Sequence, residues 1–413
     1  MIRARTSSSP YTGPAMPDRR LASMFAPRST SAPATATSVT LLAGYAADIG
    51  GLSTFAGGLR AGLLADRPDL TVNVVQALAA PEGATSPEIV HRLADGVDGA
   101  RAAAAVMNQG DAAIIHYQDG VYGGTEGDQV LDVLEWITRP VIVIIQDLHQ
   151  QPTARQRFIT ELLTSSADAV VTLSETGRRL LLDQYHVEPR KLSTIRHGAQ
   201  LTAASVPDMR PDRPRRRTNI LTWGLLGPGR GIETGLHALA LAGKLGHAPR
   251  YTIAGPLDPS LGTVDGDRYR HSLLELAGAL GISDRVEFHI GRLGSASLAA
   301  LVHGADAVLL PQGGSDPTFS SVFADAMTVA RPLVCASNVF AREVLHGERG
   351  GLLVPPGDAA ATADALVRVL SEPALAKAMS AHNAAAAPIA SWPDVAARYR
   401  QLINALMRRP LGE

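Results

Sequence analysis

In Asn219-Ile-Leu-Thr-Trp223-Gly224-Leu225-Leu226-Gly227-Pro228-Gly229-Arg230-Gly231-Ile232-Glu233, a short apolar run gives way to closely spaced glycines, an arginine and then a segment of helical periodicity. A strand entering a Gly-rich turn and then a helix is the start of a βα unit, and such a turn lies at the carboxyl end of its strand. There the backbone amides and the positive helix terminus can meet an anion. Gly227, Gly229 and Gly231 let the backbone approach a phosphate, and Arg230 adds a fixed charge beside it. Their single-residue spacing departs from Gly-x-Gly-x-x-Gly, which removes the main support for a hydride-transferring enzyme.

Outward from this turn, short strands alternate with amphipathic Ala/Leu segments. Downstream, strands are predicted at Tyr251–Ala254, Arg285–His289, Ala307–Leu310, Pro332–Cys335 and Gly351–Val354. Upstream they are predicted at Val39–Ala43, Thr71–Val75, Ala112–His116, Val141–Ile145, Ala169–Leu173 and Leu192–Ile195. The first helix, Ser53–Leu64, carries Phe55, Leu59 and Leu63 on one face. Gly50-Gly51 precedes it and forms a weaker counterpart of the Gly227–Gly231 turn, since a glycine pair there also serves a tight turn with no ligand.

The expected fold class is therefore α/β, with two Rossmann-like domains facing a cleft. Residues 39–205 form one domain and 219–388 the other. The linker 206–218, with three Pro and five Arg, joins them. In the segment 389–413, Val395, Tyr399, Leu402 and Leu406 stand at helical spacing. Residues 1–38, rich in Ser, Thr, Pro and Ala, read as a disordered tail.

The 413 residues are 46% hydrophobic and 19% charged, enough for two buried cores. A net charge of −1, from 38 basic and 39 acidic residues, gives no global field for nucleic acid. No apolar window approaches a membrane span, which leaves only peripheral membrane contact. The single cysteine, Cys335, excludes an internal disulfide framework and fits a cytoplasmic location. The three lysines lie in no setting for a pyridoxal Schiff base, and no His/Asp spacing suggests a metal. No cofactor is expected.

Several further motifs occur in one order: Gly50-Gly51-Leu-Ser-Thr-Phe55, Val171-Thr-Leu-Ser174-Glu-Thr, Ile195-Arg-His197-Gly198, Gly227-Pro-Gly-Arg230-Gly231, Ile253-Ala-Gly255, Asp325-Ala-Met327 and Gly351-Leu-Leu-Val-Pro-Pro-Gly357-Asp358. In this the chain resembles the retaining GT-B glycosyltransferases that include sucrose-phosphate synthases and bacterial mannosyltransferases, from Val39 to Leu406. Tyr122-Gly-Gly-Thr-Glu126-Gly-Asp128 and Pro152-Thr-x-x-Gln156-Arg157 resemble a bacterial mannosyltransferase subgroup.

The resemblance implies a nucleotide-sugar donor as substrate, held by the second domain. It implies an acceptor hydroxyl of a saccharide, lipid or small molecule at the first. Arg230 stands where the family has its diphosphate-binding Lys, and Leu225 replaces the companion Arg. Of the family's Glu-x7-Glu pair, the second falls on Asp325, a ribose-binding position, and the first on Pro317. Asp316 beside it is then the candidate for the sugar, with Thr318, Phe319, Ser320 and Ser321 lending hydroxyls and amides.

In the first domain, Gln146 occupies the position of a family His near the transferring sugar, and His116 ends the third predicted strand at the same cleft. His149 reaches that cleft only if its loop turns back. Glu126 and Asp128 either orient acceptor hydroxyls or start the following helix. The alternative to transfer, drawn from Gln146, Leu225, Pro317 and Asp325, is a catalytically weakened nucleotide-sugar sensor or noncatalytic partner.

Overall fold

A computed structural model describes residues 36–45, 55–77, 86–199, 201, 218–258, 261–312, 320–345, 349–386 and 390–408. The first sheet contains β1 (Ser38–Ala43), β2 (Thr71–Gln76), β3 (Ile89–Arg92), β4 (Ala112–Tyr117), β5 (Val141–Ile145), β6 (Ala169–Thr172) and β7 (Leu192–Thr194), in the order β3-β2-β1-β4-β5-β6-β7. The second contains β8 (Asn219–Trp223), β9 (Arg250–Gly255), β10 (Val286–Ile290), β11 (Ala307–Leu310), β12 (Leu333–Ala336) and β13 (Gly351–Val354), in the order β10-β9-β8-β11-β12-β13. All named pairings are parallel. Central strands such as β5, Val-Ile-Val-Ile-Ile, are buried throughout because helices cover both faces.

The strand order reverses between β1 and β4 in one sheet and between β8 and β11 in the other. At these two places the loops diverge to opposite faces and leave a crevice at the carboxyl edge, where open α/β sheets bind ligands. The helix Phe55–Ala65 buries Phe55, Leu59 and Leu63 as its periodicity predicts.

Three expectations change. The edge strand β3 has no sequence signal, since Ile-Val-His-Arg is half-exposed and gains its form by pairing with β2. The tail does not extend to residue 38. Ala36 is buried, and the Thr37 and Ser38 amides donate to Asp111 Oδ2 at 2.8 and 3.0 Å. The helix Trp392–Met407 is not a separate unit: Trp392, Val395, Ala396, Tyr399, Ile403, Leu406 and Met407 join the first domain's core against the helix Phe55–Ala65.

Removing residues 1–35 is expected to leave the unfolding midpoint unchanged, whereas removing 1–38 should cost about 1.5–3 kcal/mol, the scale of hydrogen bonds to a charged group. Urea titration of both truncations checks this. Equal stability of the two would show that Asp111 contributes nothing.

Candidate functional site

His116 lies near the end of β4 at the first crevice, 4% exposed. Its Nε2 donates to Gln146 Oε1 at 2.8 Å, so the structure brings these two predicted residues together. Phe55 stacks on the imidazole with ring centroids 4.4 Å apart, and the Tyr122 hydroxyl donates to the His116 carbonyl at 2.7 Å. Phe55 also meets His197 and Trp392 edge-on, at 5.2 and 5.3 Å. Burial holds the His116 imidazole down at about 4, against the raising effect of Gln146, with His197 adding a further lowering. Burial likewise holds His197 at about 4. Both rings are neutral at pH 7, which suits hydrogen bonding better than proton transfer.

The loops after β4 and β5 meet each other. His149 pairs with Asp119 at 2.6 Å, and the Asp119 amide donates to Asp147 Oδ2 at 3.0 Å. Glu126 accepts from Thr153 Oγ1 at 2.8 Å. Asp128 stands at the N-cap position of the helix Gln129–Glu135 without capping it, because its carboxylate accepts from the Thr125 amide and pairs with Arg155.

In the second domain, Gly227, Gly229 and Arg230 follow β8 as read. Gly229 and Gly231 have φ of 79° and 76°. A Cβ on Gly231 would stand 2.1 Å from the Pro311 carbonyl, so glycine is what lets this turn close on the end of β11. The Leu226 amide donates to the Pro256 carbonyl at 2.9 Å, and Asp258 follows on that loop. Asp258 Oδ2 lies 3.3 Å from the Arg230 guanidinium, a partner with no sequence signal. Leu225 is 38% exposed at this edge.

Ser320 Oγ accepts from the Phe323 amide at 3.3 Å as the N-cap of the helix Ser321–Ala326. Asp325 on that helix neither caps it nor meets solvent. It is 5% exposed and accepts from the Leu201 amide at 3.4 Å, where the chain leaves the first domain. Thr328 Oγ1 donates to the Leu201 carbonyl beside it. Glu343, which the sequence reading missed, crosses between the domains and accepts from the Glu175 and Thr176 amides at 2.9 and 2.7 Å. Glu175 begins the helix after β6 and Glu343 lies in the helix after β12, so the carboxyl edges of the two sheets face each other here. The acidic side chain at that helix N-terminus is favoured by the helix dipole. Gly50, Gly51, Asp316, Pro317, Thr318 and Phe319 lie outside the described residues.

The family model of glycosyl transferases group 1 matches residues 217–372. A D-inositol 3-phosphate glycosyltransferase of Salinispora tropica is 28% identical over 239 residues, which are 54% of this chain and 48% of that protein. The match thus spans about half the relative's length. Sucrose-phosphate synthase from Thermosynechococcus elongatus superposes with a TM-score of 0.70 at 20% identity, covering 90% of this chain and 99% of that one. An Anabaena protein crystallised with UDP and glucose gives 0.68 at 14% identity, over 89% and 100%. Residues 217–372 thus resemble the group 1 glycosyl transferases, and the two parallel sheets whose loops diverge at matching places give the chain the GT-B fold of two Rossmann-like domains.

Proposed function

We propose that this protein is a retaining glycosyltransferase acting in the cytoplasm, moving a sugar from a nucleotide donor on the second domain to an acceptor hydroxyl at the first. The observation that carries this reading is the Gly227–Gly231 turn, folded against Pro311 with Arg230 at its rim. A departing nucleoside diphosphate accumulates negative charge, and preorganised amides plus a guanidinium stabilise it in a site closed to water. With this charge supplied by the protein, no divalent ion is required. In a retaining transfer the departing phosphate takes the acceptor proton on the same face. Gln146, held by the buried neutral His116, is then the group that orients the sugar, and the imidazole moves no proton.

Asp258 holds Arg230 until a diphosphate competes for the guanidinium. Asp325 is proposed to share its buried carboxylate between the Leu201 amide and the donor ribose, which couples donor binding to the chain segment joining the domains. Mannose is the sugar suggested by the sequence resemblance, and GDP-mannose heads the donor panel.

A thermal-shift panel of nucleotide sugars tests the reading. A donor at 100 times its dissociation constant adds about 2.7 kcal/mol of stability. Arg230→Ala should weaken donor and free nucleoside diphosphate alike by about 1.5–3 kcal/mol, the scale of a lost charged hydrogen bond. Asp258→Asn should tighten both by freeing the guanidinium. Activity lost with chelator and restored by magnesium would remove the metal-independent part of the proposal, and donor binding without turnover on any acceptor would favour the sensor.

A further inference from the structure

An α-helix leaves the amides of its first turn without a carbonyl one turn back. In the helix Glu175–Asp183 those amides belong to Glu175, Thr176 and Gly177, since Arg178 is the first to reach a backbone carbonyl, that of Ser174. The cap within the domain covers one of them: Ser174 Oγ accepts from the Gly177 amide at 2.9 Å. The other two are met from the second domain, where Glu343 accepts through Oε1 from Glu175 at 2.9 Å and through Oε2 from Thr176 at 2.7 Å. Thr176 is 7% exposed, so parting the domains uncovers two amides and a carboxylate together.

Each end of this contact is packed against a piece of the candidate site. Behind the first turn, a Cβ on Gly177 would overlap Thr172 Oγ1 and stand 3.3 Å from Leu148 Cδ1, so the helix sits directly on the loop that carries Gln146. On the other side, Glu343 lies in the helix Val339–Val344, whose Phe340 meets Phe323 edge-on with ring centroids 5.4 Å apart. Phe323 shares the helix Ser321–Ala326 with Asp325. Packing therefore runs from Gln146 through Glu343 to Asp325, and closely packed elements move as units rather than deform.

We infer that Glu343 is a positioning residue: its carboxylate clasps the first turn of the helix Glu175–Asp183 and so sets the gap between the loop of Gln146 and the helix of Asp325. In naming that gap the distance between acceptor and donor, the inference rests on the glycosyltransferase reading. The clasp itself rests on two hydrogen bonds to a charged acceptor, which fix direction as well as distance.

The test measures the gap in the full-length protein by electron–electron double resonance, with nitroxides on Asp183→Cys and Glu372→Cys, exposed sites in the first and second domains. Cys335, 2% exposed, stays unlabelled. Glu343→Met keeps the bulk of the side chain and removes both acceptor oxygens. It should raise the ratio of long to short separations at least about tenfold, and Glu343→Gln, whose amide oxygen still accepts, should restore most of the parent distribution. From the other side, Glu175→Pro deletes one donor at the helix position that tolerates proline best, after an extended Ser174. It should open the protein too, whereas Glu175→Ala, which keeps the amide, should not. Added to Glu343→Met, Glu175→Pro should open it no further. Where a donor turns over, kcat of Glu343→Met should fall by about ten- to a hundredfold, the scale of misplaced reactants, while free nucleoside diphosphate, held by the second domain alone, binds as to the parent.

Melting curves establish that the variants fold, and the Glu343 and Glu175 sets read the same contact independently, so one folded set suffices. An unchanged distribution in Glu343→Met, failure of Glu343→Gln to recover it, or opening by Glu175→Ala would overturn the clasp. Opening with kcat unaltered would overturn the positioning role. Opening in a protein that binds no nucleotide sugar would keep the clasp and remove the transferase reading instead.

Discussion

Replacing Trp392 by alanine is expected to destabilise the first domain by about 3–5 kcal/mol, the usual cost of removing a large buried aromatic. Trp392 is 7% exposed and wedged between the helix Phe55–Ala65 and the end of the first domain's chain. A Cβ on Gly58 would fall 2.1 Å from its indole and one on Gly198 2.4 Å, so both glycines are spaces that this side chain fills. Its ring also meets Phe55 and His197 edge-on, at 5.3 and 5.0 Å, and Phe55 covers His116. Loss of the indole should therefore loosen the crevice as well as the core. Urea unfolding followed by circular dichroism measures the first effect, and the midpoint assigned to the second domain should not move. A cost below about 1 kcal/mol would mean that the site collapses around the cavity, and that the docked helix is held by Tyr399 and Ile403 instead.

Acidification should destabilise the protein between pH 6.5 and about 4 through His116 and His197. Both have folded values lowered to about 4 from 6.5 by burial, so the unfolded chain binds protons in that window and the folded one does not. Stability is present above 6.5 and is lost as the pH falls toward the folded value, by on the order of 3 kcal/mol per imidazole. Asp147 works in the opposite sense. Its folded value is raised to about 6, so it contributes stability that grows as the pH falls from 6 toward 3.8 and offsets part of the loss. Thermal unfolding at pH 7.5, 6.5, 5.5 and 4.5, roughly spanning the window, should show a falling midpoint. His197→Asn should flatten the fall. NMR titration showing either imidazole protonated near pH 6.5 in the folded protein would refute the account.

Local chemistry determined most of the architecture. Runs such as Val141–Ile145 and Asn219–Trp223 form strands because they are apolar or β-branched and bounded by breakers. The face Phe55, Leu59, Leu63 is buried because its spacing is helical. The turn Gly227–Gly231 could be read because positive φ and close backbone approach need glycine wherever they occur. Those properties are written within a dozen residues.

The partners of the site residues are not. Asp258 reaches Arg230 because the loops after β8 and β9 run side by side, His149 reaches Asp119 because two loops converge, and Glu343 reaches the Glu175 amide from 168 positions away. Asp325 turns to Leu201, and Trp392 docks on the opposite domain from the strands that precede it, because of the path the chain takes between the two sheets. Periodicity records which face of an element is apolar. Which polar group meets a buried carboxylate, and which helix covers an exposed sheet face, depends on packing between distant segments, and only the assembled domains supply it.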